Sequence, residues 1–208
     1  MKKEYEIRIY DFDEKKVKQL IKKNGGKLLQ KKTIMKTITY HHPKKKDDIF
    51  IRLRDEGKNI TLTVKTNLKS KYKVEREIIV DSMDEAEVIL KLLDCTEKYR
   101  NEKIRETYII KGCKEIVFDS SPGLPTWLEI DCHNEKSLKS IVKILGFTLN
   151  DNAGYGVAER YYRLYKIKKD IKIINLTFKN ANKILSKYIK KNKNQFNKIL
   201  KNQLKLKF

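Results

Sequence analysis

Apolar and polar positions alternate with a period of two in several separate stretches of the chain. EYEIRIY, residues 4–10, puts Tyr5, Ile7 and Ile9 on one side of a strand and Glu4, Glu6 and Arg8 on the other. IFIRLR (49–54) and NITLTVKT (59–66) are two alternating runs joined by DEGK, which reads as a hairpin. YKVEREIIV (72–80), KIRETYII (103–110) and WLEID (127–131) alternate in the same way, and further strands are expected at Thr33–Tyr40 and at EIVFD (115–119). Between them the period changes. Val17, Leu20 and Ile21 predict a helix from Asp13 to Lys23, stopped by Gly25-Gly26. Ser82 and Glu85 form a capping box ahead of a helix to about Leu93. Leu138, Ile141, Val142 and Leu145 share one face of a helix from Asn134 to Leu145, ended by Gly146. The expectation is an α+β body of seven or eight short strands, mostly antiparallel, with three helices at the connections.

The polar sides of these strands are unusual. Arg52 and Arg54 share a face opposite Ile51 and Leu53, and Lys65 lies with Thr61 and Thr63 opposite Leu62 and Val64. Glu75 and Glu77 share a face, as do Lys103 with Arg105, and Glu129 with Asp131. A solvated outer face would carry charges of scattered sign and would favour lysine in so lysine-rich a chain. Instead the charges come as like pairs, and four of the bases (Arg8, Arg52, Arg54 and Arg105) are arginine, the residue suited to multi-donor contact with phosphate. This pattern predicts a closed antiparallel β-barrel of about eight strands, with the charged faces inside, the helices packed outside, and a wet interior in which the two signs interdigitate. Acid pairs suit Mg²⁺ or Mn²⁺, and base pairs suit phosphate oxygens. The expected ligand is a compact, metal-bound polyphosphate.

Composition adds limits. The chain has 208 residues, of which 39% are hydrophobic and 37% charged, with a net charge of +22. That is enough apolar material for one core, and the basic excess favours polyanionic partners. The MKKEYEIRIY start has no apolar run after its lysines, so it does not read as a signal peptide. No stretch approaches the roughly 18 apolar residues of a membrane span. Three scattered cysteines, Cys95, Cys113 and Cys132, lack metal-ligand spacing; their odd, sparse count argues against a disulfide framework. Together these predict a soluble, cytoplasmic protein.

The charge is uneven. From Lys166 to the end there are fourteen lysines, no arginine and one aspartate, so this segment carries +13. Ile184, Leu185, Tyr188, Ile189, Phe196, Ile199 and Leu200 predict an amphipathic helix from about Asn180 to Leu200, with a basic face. The division expected is a body at 1–165 and a lysine-rich helical extension at 166–208. The extension is either packed on the body or a surface for RNA, another polyanion, a membrane surface or a partner helix.

Taken together, the strand motifs from residue 4 to about residue 165 resemble the CYTH superfamily, the triphosphate tunnel metalloenzymes. That superfamily includes class IV adenylate cyclases and thiamine triphosphatases. Glu4, Glu6 and Arg8 stand where the family has Glu-x-Glu-x-Lys. Arg52, Arg54 and LTVK with Lys65 resemble its Arg-x-Arg strand and the motif after it; EREI carries Glu75 and Glu77; Lys103 and Arg105 match its Lys-x-Arg strand. FDSSPGLPTWLEID resembles its closing pattern, with Asp119, Glu129 and Asp131 in the acidic places. Three positions depart: Arg8 replaces the usual Lys, as in the fungal and viral messenger-RNA triphosphatases of the same architecture, Asp131 replaces a Glu, and Pro125 replaces a Gly. Tyr155 in GYGVAERYY is a loose counterpart of the family's later Ser-Tyr segment.

The resemblance implies that Glu4, Glu6, Glu129 and Asp131 hold Mg²⁺ or Mn²⁺. Arg8, Arg52, Arg54, Lys65, Lys103 and Arg105 would then grip a triphosphate. Glu75 and Glu77 are the residues for completing the metal shell or orienting the attacking water, with Lys65 beside them. The implied activity is hydrolysis of a triphosphorylated substrate: a nucleotide, tripolyphosphate, thiamine triphosphate or an RNA 5′ end. An adenylate cyclase would use the same charges and release pyrophosphate. A polyphosphate- or RNA-binding module without turnover would need the bases but hardly the acids. Substrate head group, preferred metal and oligomeric state are not readable from the residues.

Overall fold

The computed structural model describes residues 5–45, 48–66 and 75–206. In chain order the elements are β1 (Tyr5–Ile9), α1 (Glu14–Lys23), β2 (Lys27–His41), β3 (Ile49–Asp55), β4 (Ile60–Thr66), β5 (Glu75–Val80), α2 (Met83–Leu92) and β6 (Thr96–Ile109). They continue as β7 (Cys113–Ser120), β8 (Trp127–Cys132), α3 (Glu135–Ile144), α4 (Val157–Tyr165), α5 (Ala181–Leu185) and α6 (Lys193–Leu204). The eight strands form one sheet in the order β1-β8-β7-β6-β2-β3-β4-β5. Among the described residues, hydrogen bonds do not close this sheet; β1 and β5 are its edges. Nor is any described helix long and apolar enough to cross a membrane.

The three connecting helices start where their caps place them. The Asp13 carboxylate accepts from the Lys16 N–H at 3.0 Å, the Ser82 hydroxyl from the Glu85 N–H at 3.2 Å, and the Asn134 side chain from the Ser137 N–H at 2.8 Å.

The chain divides into two compact units, and β2 and β6 pass through both. The first unit comprises Ile34–Glu102 and Ile174–Thr177. Its core gathers Ile38, Tyr40, Ile51 and Leu53 from the apolar sides of β2 and β3 with Ala86 and Leu90 of α2, and Cys95. Segment 174–177 is tied to the middle of β6: the Leu176 carbonyl accepts from the Glu102 N–H at 2.8 Å.

The second unit comprises Lys2–Thr33, Lys103–Ile173 and Phe178–Phe208. Its core sets Ile7 and Ile9 of β1, Ile116 and Phe118 of β7, and Leu128 and Ile130 of β8 against Val17 and Ile21 of α1 and Leu138, Ile141 and Val142 of α3. In both units the apolar sides of these core strands are therefore the core side, as the alternation predicts, whereas on β5 Ile78 is 60% exposed and only Val80 packs against the core.

Two expectations need correction. Cys113 and Cys132, opposite each other in the β7–β8 register, form a disulfide, and only Cys95 is free. Their sequence separation gives no hint that the two strands align there. The amphipathic stretch near 180–200 is also two helices, not one. Asn192 takes the left-handed conformation at φ 60 and its side chain donates to the Leu164 carbonyl at 3.0 Å. The Tyr165 carbonyl accepts from both the Lys190 and Lys191 N–H groups, at 3.1 and 3.2 Å. The end of α4 thus captures the KKNKN break, and asparagine tolerates the left-handed turn.

Candidate active site

In the first unit, register turns the alternation into a polar surface. Thr39 pairs with Arg52 and Thr37 with Arg54 across β2–β3; Arg52 pairs with Thr63 and Arg54 with Thr61 across β3–β4. Thr63 then pairs with Glu77, and Lys65 with Glu75, across β4–β5. Residues directly opposite share a face, so all of these point to the same side. The Arg52 Nη2 donates to the Thr63 hydroxyl at 3.1 Å, and that hydroxyl donates to the Glu77 carboxylate at 2.6 Å. Lys65 Nζ is 3.0 Å from Glu75 Oε2, and Arg54 Nη1 is 3.3 Å from Glu56 Oε1.

This surface carries more donor capacity than the protein uses. The Arg52 and Arg54 side chains are only 16% and 14% exposed. Their Nε atoms, and the hydroxyls of Thr39 and Thr61, are buried with no hydrogen-bond partner among the described residues. Burial and then repulsion from Arg54 hold the Arg52 pKa below the ordinary arginine value, although Glu77 and Glu75 pull it back. Two crowded, under-used guanidiniums favour an anion with several oxygens.

In the second unit the charges interlock. Arg8 pairs with Glu129 and Glu6 with Asp131 across β1–β8. Arg8 donates through Nε to Glu129 Oε1 at 2.7 Å, and its Nη2 lies 2.6 Å from the same oxygen. Burial alone would lower the Arg8 pKa, but Glu129 reverses this and the net direction is up. Arg105 donates to both oxygens of Asp119, at 2.7 Å each, while Lys103 Nζ lies 2.7 Å from Asp119 Oδ2. Arg105 Nη2 also reaches Glu129 Oε2 at 3.5 Å. Asp119 is fully buried; burial would raise its pKa, yet Lys103 and Arg105 hold it down at about 2.

Several participants were not among the predicted site residues. Trp127 donates its indole N–H to Glu129 Oε1 at 3.0 Å. Lys114, at a register shift between Cys113 and Glu115, reaches both oxygens of Asp131 at 2.7 and 2.9 Å. Glu115 lies 3.4 Å from Arg105. Burial, the dominant cause, raises the Glu115 pKa. Tyr10 stacks on Tyr155 with ring centres 5.2 Å apart, and the Tyr155 carbonyl accepts from Arg8 Nη1 at 3.3 Å. Asp119 and Trp127 were legible within the closing motif; Lys114 was not, because a bulge is invisible to a period of two.

The acids offer the right donor type for a hard divalent cation: Glu6 and Asp131 are in register, and Glu129 lies two positions on. Glu4 lies outside the described residues. Among the described residues no three His, Cys, Asp or Glu side chains are grouped as a metal site, and Glu129 and Asp131 are paired with Arg8 and Lys114.

No family model and no curated protein matches the chain. Solved structures do. A "putative adenylate cyclase" from Vibrio parahaemolyticus superposes with a TM-score of 0.64 at 13% identity, covering 75% of this chain and 95% of that one. A protein from Pyrococcus horikoshii OT3 gives 0.59 at 17% identity, covering 74% and 96%. A second "putative adenylate cyclase", from Bacillus halodurans, gives 0.51 at 14% identity, covering 76% and 97%. At such identities the likeness is one of fold.

Proposed function

We propose that the protein is a divalent-metal-dependent triphosphatase that binds its substrate through the arginine-rich strand faces and releases orthophosphate. The observation that carries this reading is the pair Arg52 and Arg54. Both are largely buried, Arg52 is lowered in pKa by burial and by Arg54, and each retains an Nε without a partner among the described residues. A polyphosphate relieves that repulsion and supplies the missing acceptors. In the first unit Arg52, Arg54 and Lys65 are the phosphate ligands of this reading; in the second they are Arg8, Lys103 and Arg105. Glu75 and Glu77 are the residues for orienting the attacking water, positioned by Lys65 and Thr63 respectively. The reading includes the closed barrel expected from the strand pattern.

Mg²⁺ or Mn²⁺ belongs to the same reading, with Glu6, Glu129 and Asp131, together with Glu4, as its carboxylate ligands. When bound, the metal would neutralise charge on the phosphoryl oxygens. Arg8 and Lys114 would then shift from the acids toward phosphate.

A cyclase is the second reading, favoured by the name of two proteins of the same fold. The basic extension is a further candidate contact for an RNA 5′ end. The deciding experiment incubates the protein with Mg²⁺ or Mn²⁺ and ATP, tripolyphosphate, thiamine triphosphate or triphosphorylated RNA, and separates the products. Orthophosphate supports the triphosphatase; pyrophosphate with a cyclic nucleotide supports the cyclase; release of neither overturns both.

A further inference from the structure

We infer that the C-terminal helix α6 is a positioning element for the loop between β7 and β8, and that Gln203 is its positioning residue. Residues 121–126 connect Ser120, the last residue of β7, to Trp127, the first of β8. Asp119 therefore stands at one end of the loop, and Trp127 and Glu129 stand at the other. These are the groups that hold Lys103, Arg105 and Arg8.

Besides the Leu124 N–H bond to the Ser121 carbonyl and the Ser120 hydroxyl bond to the Leu124 carbonyl, the backbone of this loop is held by the C-terminal part of the chain. Gln203 is 7% exposed. Its Oε1 accepts from the Gly123 N–H at 2.8 Å, and its Nε2 donates to the Ser121 carbonyl at 3.0 Å, the Leu124 carbonyl at 3.2 Å and the Ser120 hydroxyl at 2.5 Å. Only one orientation of the amide meets one donor and three acceptors in this way. Tyr161 of α4 donates to the Pro122 carbonyl at 2.8 Å, and Tyr165 donates to the Gly123 carbonyl. Each carbonyl from Ser121 to Leu124 therefore accepts a side-chain donor from α4 or α6. Phe196 of α6 seals the arrangement, because a Cβ on Gly123 would lie 2.2 Å from its ring.

A surface tail serving only to attract polyanions would not need a buried amide with four hydrogen bonds to a distant loop. With the loop held, Trp127 keeps its indole N–H on Glu129, and Glu129 keeps Arg8 in place. The consequence for turnover rests on the proposed function; the consequence for the loop does not.

Trp127 is the only tryptophan, so its fluorescence reports on the loop directly. The test compares the full chain with Gln203→Met, which keeps the volume and removes the amide, and with Gln203→Glu, which keeps an acceptor and removes the amino donor. Leu204→Ala, at an exposed position of the same helix, is the control. Both Gln203 variants are expected to shift Trp127 emission to the red and to raise its acrylamide quenching, the control to leave both unchanged. Turnover of tripolyphosphate is expected to fall on the order of tenfold in kcat with a smaller change in KM, as misplacement of reacting groups would cause. Unchanged emission and quenching in both variants overturn the inference, even if their Tm falls. Altered emission in a protein that turns over no substrate upholds the positioning role and rejects the triphosphatase reading instead.

Discussion

Arg105 meets Asp119 with two parallel hydrogen bonds of 2.7 Å, Nε to Oδ1 and Nη2 to Oδ2, and the carboxylate is wholly buried. Lys103 shares the same carboxylate. One acid thus fixes two of the cations proposed to grip phosphate, on the polar face of the second unit.

Acid should release this arrangement in a defined window. The folded Asp119 pKa is about 2, below its ordinary 3.8. Its contribution is therefore fully present above the ordinary value and is lost as pH falls through about 2. A lowering of this size corresponds to on the order of 2 kcal/mol. Thermal melts between pH 6 and pH 1.5 should show a steep loss below pH 4 in the wild type and a shallower one in Asp119→Asn. Asp119→Ala should be the worst variant at neutral pH, costing about 3–5 kcal/mol in denaturant melts because two cations lose their buried partner. Equal acid slopes in wild type and Asp119→Asn would show that Asp119 does not drive the transition.

Arg52 and Arg54 should behave in the opposite way. Each repels the other across a largely buried surface, so removing one relieves strain in the free protein. Arg54→Ala is expected to leave Tm unchanged or slightly raised while weakening tripolyphosphate binding about 10- to 100-fold, the loss of a charge-assisted contact. Titration calorimetry with differential scanning calorimetry separates the two effects. A variant that loses stability and keeps its affinity would make these arginines structural.

The strand alternation carried most of this fold because it records which side of each strand meets a core. Ile7, Ile51 and Leu128 are buried where the period of two places them, and Arg8, Arg52 and Glu129 occupy the other side. Three features escaped for identifiable reasons. Lys114 reaches Asp131 through a bulge, which shifts the register that alternation assumes. Cys113 faces Cys132 only because β7 and β8 align there, and pairing register is a tertiary property. The role of Gln203 depends on a contact to Gly123 across 80 residues, with no local pattern to announce it. Barrel closure was expected from the like-charged strand faces, but among the described residues pairing of the edge strands β1 and β5 is not part of the hydrogen-bonded sheet.

Gly123 should be among the least replaceable residues in the second unit. It sits at φ +77, where a side chain is strained, and a Cβ there would come within 2.2 Å of the Phe196 ring. Gly123→Ala is expected to cost about 2 kcal/mol or more in urea melts, from the backbone term and the displaced ring together. Phe196→Ala opens a cavity and destabilises by itself. Combined with Gly123→Ala, however, it should cost less than the two single effects added, because the clash is gone. Strict additivity would place the two residues out of contact.

Metal binding gives the last prediction, and it depends on which cation holds Asp131. In the free protein Lys114 lies 2.7 Å from one carboxylate oxygen and 2.9 Å from the other, so a divalent ion at the proposed site would compete with it. Asp131→Asn removes the charge of a proposed ligand and is expected to weaken Mn²⁺ binding at least about tenfold, one charge-assisted contact's worth. Lys114→Ala should act in the opposite direction and tighten Mn²⁺ binding several-fold, since the competing ammonium is gone. Free Mn²⁺ is counted directly by electron paramagnetic resonance, without substrate or turnover. If Lys114→Ala leaves the Mn²⁺ affinity unchanged while Asp131→Asn abolishes it, the metal binds Asp131 without displacing Lys114. If neither variant alters the affinity, Asp131 is not a ligand and the pair with Lys114 is a structural ion pair on the β7–β8 strands.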